Sequence, residues 1–210
     1  MVLPVRPDIG KEQYLSKSGG ISGKLRKTPQ HFSVDEVIQS GREAHWIWAK
    51  ESNEGKHAIV KITSTNWDTH VLVKELSKKL NIGERAISFA GTKDKRARTS
   101  QYMSLKSTQE KIEDLDLDNV KIEFKHMSTK PIRLGNLVGN KFKIEITEAK
   151  NLGNIDKIIN ELDQFFPNYF GIQRFGVMRP ITHLVGKKIV KGNYKEAVWD
   201  YLTIGDENTS

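Results

Sequence analysis

Apolar and polar residues alternate with period two along several stretches of the chain and change to a longer period in others. In "VKIEFKH", Val120, Ile122 and Phe124 fall on one side and Lys121, Glu123 and Lys125 on the other. "KFKIEIT" repeats the pattern with Phe142, Ile144 and Ile146. Successive side chains of a strand point to opposite faces, so both stretches read as strands with one apolar face. "HAIVKIT" reads the same way, with Ala58, Val60 and Ile62 aligned, and "FSVDEVI" (Phe32–Ile38) alternates more weakly. "HWIWAK", "AISFAG" and "SQYMSLKS" are further short strand candidates.

The period changes at "NWDTHVLVKELSKKLNIG", where Val73, Leu76 and Leu80 form a helical stripe. Asp68 or Thr69 can supply the N-cap oxygen, and Gly83 follows the end. "NLGNIDKIINELDQFF" places Leu152, Ile155, Ile158, Ile159 and Leu162 at helical spacing, with Pro167 as its stop. "THLVGKKIVKGNYKEAVWDYL" reads as two short helices parted by Gly192-Asn193, and the Gly-, Ser- and Lys-rich "SKSGGISGKLRKTPQHF" as extended chain or loop. Strands come first and helices gather late. The expectation is an α+β fold with a mixed, mainly antiparallel sheet and helices on one side.

At 210 residues the chain can hold one large domain, or one domain and part of another. A formal net charge of +8 favours an anionic partner, either nucleic acid or an anionic membrane surface. No apolar run approaches the roughly 18 residues needed to span a bilayer. "MVLPVRPDIGKEQY" lacks the apolar core of a signal peptide, so a soluble, cytoplasmic protein with no membrane partner is expected. The absence of cysteine excludes disulfides, thiolate nucleophiles and Cys-ligated metal. His31, His45, His57, His70, His126 and His183 show no H-x-x-x-H spacing, so no metal site is expected, and no G-x-S-x-G elbow marks a serine hydrolase. The end, "YLTIGDENTS", reads as a polar tail or as the cut edge of a longer protein.

The chemistry concentrates in "ISFAGTKDKRARTSQ", where Asp94 stands among Lys93, Lys95, Arg96 and Arg98. A turn carboxylate paired with a neighbouring lysine accounts for this locally. So does a reactive carboxylate kept ionised by cations that also hold phosphates. "RLGNLVGNKF" carries two Gly-Asn pairs suited to turns. "NYFGIQRFG" (Asn168–Gly176) is aromatic-rich and reads equally as a packed corner or an RNA contact. Trp46, Trp48, Phe32 and Phe142 are candidates for base stacking or for ordinary sheet core.

"TPQHFSVDEV", "GTKDKRARTSQ", "GNKF" and "NYFGIQRFG", in this order, resemble the TruD family of tRNA pseudouridine synthases, over about Gly23 to Trp199. The resemblance implies a pseudouridine synthase fold and the isomerisation of uridine to pseudouridine in RNA, tRNA above all, with no cofactor. Asp94, the aspartate of the G-x-K-D motif, would be catalytic. The base would be flipped from its stack to reach it. The carboxylate would then attack the ribose anomeric carbon or abstract a neighbouring proton. Phe32 matches the aromatic of the P-x-D-F-x-V-x-E motif and would contact the target nucleoside. That motif reads "PQHFSVDE" here, so His31 replaces the usual acid while Glu36 is retained. Arg26 stands where a lysine is typical. Asn140 would hydrogen-bond near the target, Phe142 would line the pocket, and Lys93 would be the basic partner preceding the aspartate. Lys95 and Arg98 would hold phosphates, and Lys93, Arg26 and Glu36 would be among the residues that bind the RNA substrate. Residues 1–165 would be the N-terminal part of the catalytic domain and 166–210 the start of the family's inserted domain. The alternative is a truncated, inactive RNA-binding remnant of such an enzyme.

Overall fold

The alternating stretches form strands, and the strands join one sheet. The computed structural model describes residues 14–38, 52, 54–166, 168, 171–176, 179 and 181–204. The candidate strand "HWIWAK", with Trp46 and Trp48, and the aromatics Tyr169 and Phe170 lie outside the described residues. Residues 22–150 make one compact unit, and residues 1–21 with 151–210 make another.

In the first unit the elements follow as β1 (Phe32–Val37), β2 (His57–Thr65), α1 (Thr69–Leu80), β3 (Ile87–Phe89), β4 (Arg98–Leu105), α2 (Gln109–Glu113), β5 (Val120–Ser128) and β6 (Gly139–Ile144). The sheet order is β5-β2-β4-β1-β6, with β3 beside β4. β1 pairs parallel to β4, and the other pairings are antiparallel. The expected mixed, mainly antiparallel sheet is therefore present.

Ala58, Val60 and Ile62 of β2 and Met103 and Leu105 of β4 are fully buried on one face, against Leu72 and Leu76 of α1. Ile112 of the short α2 joins the same cluster, so both helices cover one face. The one-turn α2 has too few residues to show a helical period and was not anticipated. On the opposite face, Ile59 packs with Ala90 and Ile132.

Of the two candidate caps for α1, Asp68 serves. Its Oδ1 accepts the backbone N–H groups of His70 at 2.9 Å and Val71 at 3.2 Å. Thr69 is instead buried as the first helical residue. Asp68→Ala should cost about 1 kcal/mol of stability, read from the denaturant midpoint at unchanged slope. The helix ends at Asn81, whose φ of 52° is left-handed, and Gly83 follows that end with an ordinary φ of −69°. Asparagine reaches this region because its short amide can bond locally.

Phe142, Ile144 and Ile146, which alternation puts on one face, are all about half exposed, and β6 stops at Ile144. β6 is an edge strand, while α1 packs over β2 and β4. The apolar stripe on β6 therefore borders an open face.

Lysines clamp two exposed carboxyls of this unit. Hydrogen bonds from Lys24 and then Lys27 lower Glu148 to about 2, and Lys125 and then Lys121 do the same for Glu123. Each carboxyl binds protons less readily folded than at its ordinary 4.5. Their contribution is present above pH 4.5 and lost as pH falls toward about 2. Glu148→Gln should therefore remove part of the acid-side decline in melting temperature. Salt near roughly 0.5 M should shrink the difference between variant and parent, because exposed pairs are screened.

In the second unit α3 spans Asn154–Leu162, α4 Thr182–Val190 and α5 Tyr194–Thr203. α3 begins after Leu152 and turns off at Asp163, with φ 45°, before Pro167 is reached. Glu161 of α3 accepts the backbone N–H groups of Lys17 and Ser18. Gly192, at φ 78°, parts α4 from α5 as expected.

Candidate active site

The site begins with strand alternation. Phe32, Val34 and Glu36 share one face of β1, and Ile144, Phe142 and Asn140 stand opposite them on β6. Directly paired residues of neighbouring strands point to the same face. The Phe32 and Phe142 rings meet edge to face with centroids 6.1 Å apart. Phe32 is buried, whereas Phe142 is 53% exposed.

Arg26 reaches this wall from the segment before β1. Its guanidinium lies 3.7 Å from the centre of the Phe32 ring, a cation–π contact. Its Nη2 donates to Asp94 Oδ1 at 3.2 Å. Arg26 holds a left-handed φ of 55°, uncommon for a residue with a side chain.

Asp94 lies in the loop between β3 and β4, and distant groups fix that loop. The Lys93 N–H donates to Thr69 Oγ1 at 2.9 Å, at the start of α1. The Ala97 carbonyl accepts the Asn66 N–H at 3.0 Å. The Asp94 side chain is 41% exposed, so a ligand can reach a carboxylate already oriented by Arg26.

The other predicted site residues divide by burial and by face. Asn140 is exposed at the register position of Glu36, on the face of Phe32. Lys95 is exposed in the Asp94 loop. Direct RNA contact was expected of Lys93 and Glu36, but their side chains are 4% and 0% exposed, with Lys93 Nζ 3.7 Å from Glu36 Oε2. Burial pushes the Glu36 carboxyl above its usual range, against the opposing pull of Lys93 and the Tyr102 amide. Arg98 pairs in register with Ser33, which puts it on the opposite face of the sheet, where its Nη1 meets Asp35 Oδ1 at 3.4 Å. Alternation along β4 therefore turns Arg98 away from the Phe32 face.

His31, in place of the usual acid, sits at the turn into β1. Its Nδ1 accepts the Thr28 N–H at 3.4 Å, and its Nε2 is 3.9 Å from Glu145 Oε1. Thr69 was read from sequence only as a candidate cap of α1, and the Tyr102 amide was not singled out. Their roles depend on partners far along the chain, and no local pattern announces them. Among the described residues, no group of three His, Cys, Asp or Glu side chains could hold a metal. Among the same residues, no helix is long and apolar enough to cross a membrane.

The family model for tRNA pseudouridine synthase D (TruD) matches residues 8–210. The chain belongs to the TruD family. A relative from Archaeoglobus fulgidus, named "Probable tRNA pseudouridine synthase D", is 39% identical over 92% of this chain and 46% of its own length. A relative of the same name from Methanosarcina mazei is 39% identical over 94% of this chain and 45% of its own. A crystal structure from Methanosarcina mazei, described as "Putative tRNA pseudouridine synthase D (TruD)", superposes with a TM-score of 0.74 at 36% identity, over 90% of this chain and 43% of that one. The chain thus spans about half the length of the relatives it matches. The TruD likeness carries the pseudouridine synthase fold, and the family read from the order of the motifs is the family matched.

Proposed function

We propose that this chain takes part in isomerising uridine to pseudouridine in RNA, with Asp94 as the catalytic group and no cofactor. One observation carries the reading. The Asp94 carboxylate is held by Arg26, whose guanidinium rests on Phe32, beside the accessible ring of Phe142. An ionised acid next to an aromatic wall suits a nucleobase lifted from its stack.

Isomerisation breaks the bond from C1′ to N1 of uracil and forms one from C1′ to C5. The proton on C5 is released, and N1 gains one. An ionised carboxylate can serve as nucleophile at C1′ or as base toward a neighbouring proton, and no redox step is required. Phe142 lines the pocket, Asn140 bonds the target from the same face, and Lys95 meets a phosphate. tRNA is the proposed substrate class because the TruD relatives are named for it.

The test uses a tRNA transcript tritiated at C5 of uridine. Enzyme-dependent release of tritium, with pseudouridine recovered on nucleoside chromatography, supports the reading. RNA binding without release would instead favour a non-catalytic RNA-binding role. Lys95→Ala should weaken binding by a similar factor across RNA sequences and lower the salt slope by about 0.7 for one lost single-strand phosphate contact. An unchanged slope would remove Lys95 from the interface.

A further inference from the structure

We propose that the buried Lys93–Glu36 pair is a positioning device for Asp94, pinning residue 93 to the sheet so that the next side chain meets Arg26. It rests on the assignment of Asp94 above, and it gives Lys93 and Glu36 a role other than direct contact with RNA.

The pair occupies a seam in the sheet. β1 runs beside β4 as far as Asp35, opposite Ser100. β3 takes up the same side of β4 from Phe89, opposite Met103. Between them the Tyr102 N–H donates to Glu36 Oε2 at 3.0 Å, so a side-chain carboxylate stands in for a strand carbonyl. The same oxygen faces Lys93 Nζ at 3.7 Å, with both side chains almost wholly buried. Residue 93 is thereby held at two points: its ammonium by β1 through Glu36, and its amide by Thr69 Oγ1 at the start of α1. A residue tied at both backbone and side chain leaves its successor little freedom of direction. That successor is Asp94.

The pair is a poor source of stability. Burying two charges costs desolvation that a single contact repays incompletely, and an apolar pair of similar volume often does as well or better. Glu36 Oε1 is buried with no hydrogen-bond partner among the described residues, and burial raises the carboxyl's proton affinity. An unfavourable group at a point that joins the Asp94 loop to the sheet fits a geometric role.

Three variants of the 210-residue chain test this. Glu36→Gln keeps an acceptor for the Tyr102 amide and removes the charge. Lys93→Met keeps length without charge. The double variant leaves no orphaned charge, so it stays folded if either single variant does not. In the double variant, hydrogen exchange at the amides of Lys93, Asp94 and Ala97 should accelerate at least about tenfold, while Val60, Ile62 and Met103 stay within about twofold of the parent. Loop exchange equal to the parent would overturn the proposal. So would parallel acceleration in the loop and the core, the mark of an ordinary stabilising contact. In any form of the protein that isomerises uridine, the double variant should lose about 10²-fold in kcat at unchanged KM, since small misplacements of a reacting group cost that much. A matching rise in KM would overturn the positioning role. Exchange reads the clamp even if Asp94→Asn proves active, so failure of the clamp and failure of the catalytic assignment are told apart.

Discussion

Asp94→Asn should abolish pseudouridine formation while leaving the fold and the affinity for RNA close to those of the parent. Asparagine keeps the shape of the carboxylate. It has no charge to stabilise developing cationic character at C1′, no nucleophilic oxygen anion, and no basicity toward a neighbouring proton. The side chain is 41% exposed and its ion pair with Arg26 spans 3.2 Å, so the stability at stake is about 0–1 kcal/mol. RNA affinity should hold because the substitution removes a negative charge from a basic loop and leaves Lys95 in place. The measurement is tritium release from C5-labelled tRNA beside a filter-binding titration, in whichever form of the protein is active. Pseudouridine formed by the Asn variant at more than a trace of the parent rate would overturn the assignment.

Arg26→Gly should separate stability from activity. Arg26 holds φ at 55°, a conformation that costs a residue with a Cβ about 1–2 kcal/mol and costs glycine almost nothing. Against that relief stand the loss of a partly exposed ion pair, worth about 0–1 kcal/mol, and of the contact with Phe32, worth about 0.5–1 kcal/mol. Glycine also gains entropy in the unfolded chain. These terms nearly cancel, so the denaturant midpoint should shift by no more than about 1 kcal/mol equivalent. Activity should nonetheless fall by about 10²-fold, because the carboxylate loses the group that orients it over the Phe32 wall. A variant that unfolds readily would show that Arg26 is mainly a structural support. One that is stable and fully active would show that Asp94 needs no orienting cation.

The short-range features of the fold were legible because they depend on neighbours. Alternation in "HAIVKIT" announced β2, with Ala58, Val60 and Ile62 on its buried face. The stripe of Val73, Leu76 and Leu80 announced α1, and Asp68 was available as its cap. The same periodicity announced β6 but could not give its exposure. Alternation shows that a strand has an apolar side, but not whether another layer covers it, and Phe142 and Ile144 line an open face. At the ends of helices, Asn81 and Asp163 took left-handed conformations ahead of the glycine and proline that composition favours.

For the site, the sequence by itself determined which residues could be reactive: a lone acid in a basic loop, within motifs whose order resembles one family. Only the tertiary structure decided which of them meet. Arg26 and Asp94 are 68 positions apart, and their contact depends on the register of β1 beside β4 and on the loop that follows β3. Tertiary structure also sorted cations that look alike in the chain. Lys93 is buried on Glu36, Lys95 is exposed, and Arg98 is turned to the far face against Asp35. The reason is physical. Backbone periodicity is set by adjacent residues, whereas the burial and pairing of a charge depend on strands that arrive from elsewhere in the sequence.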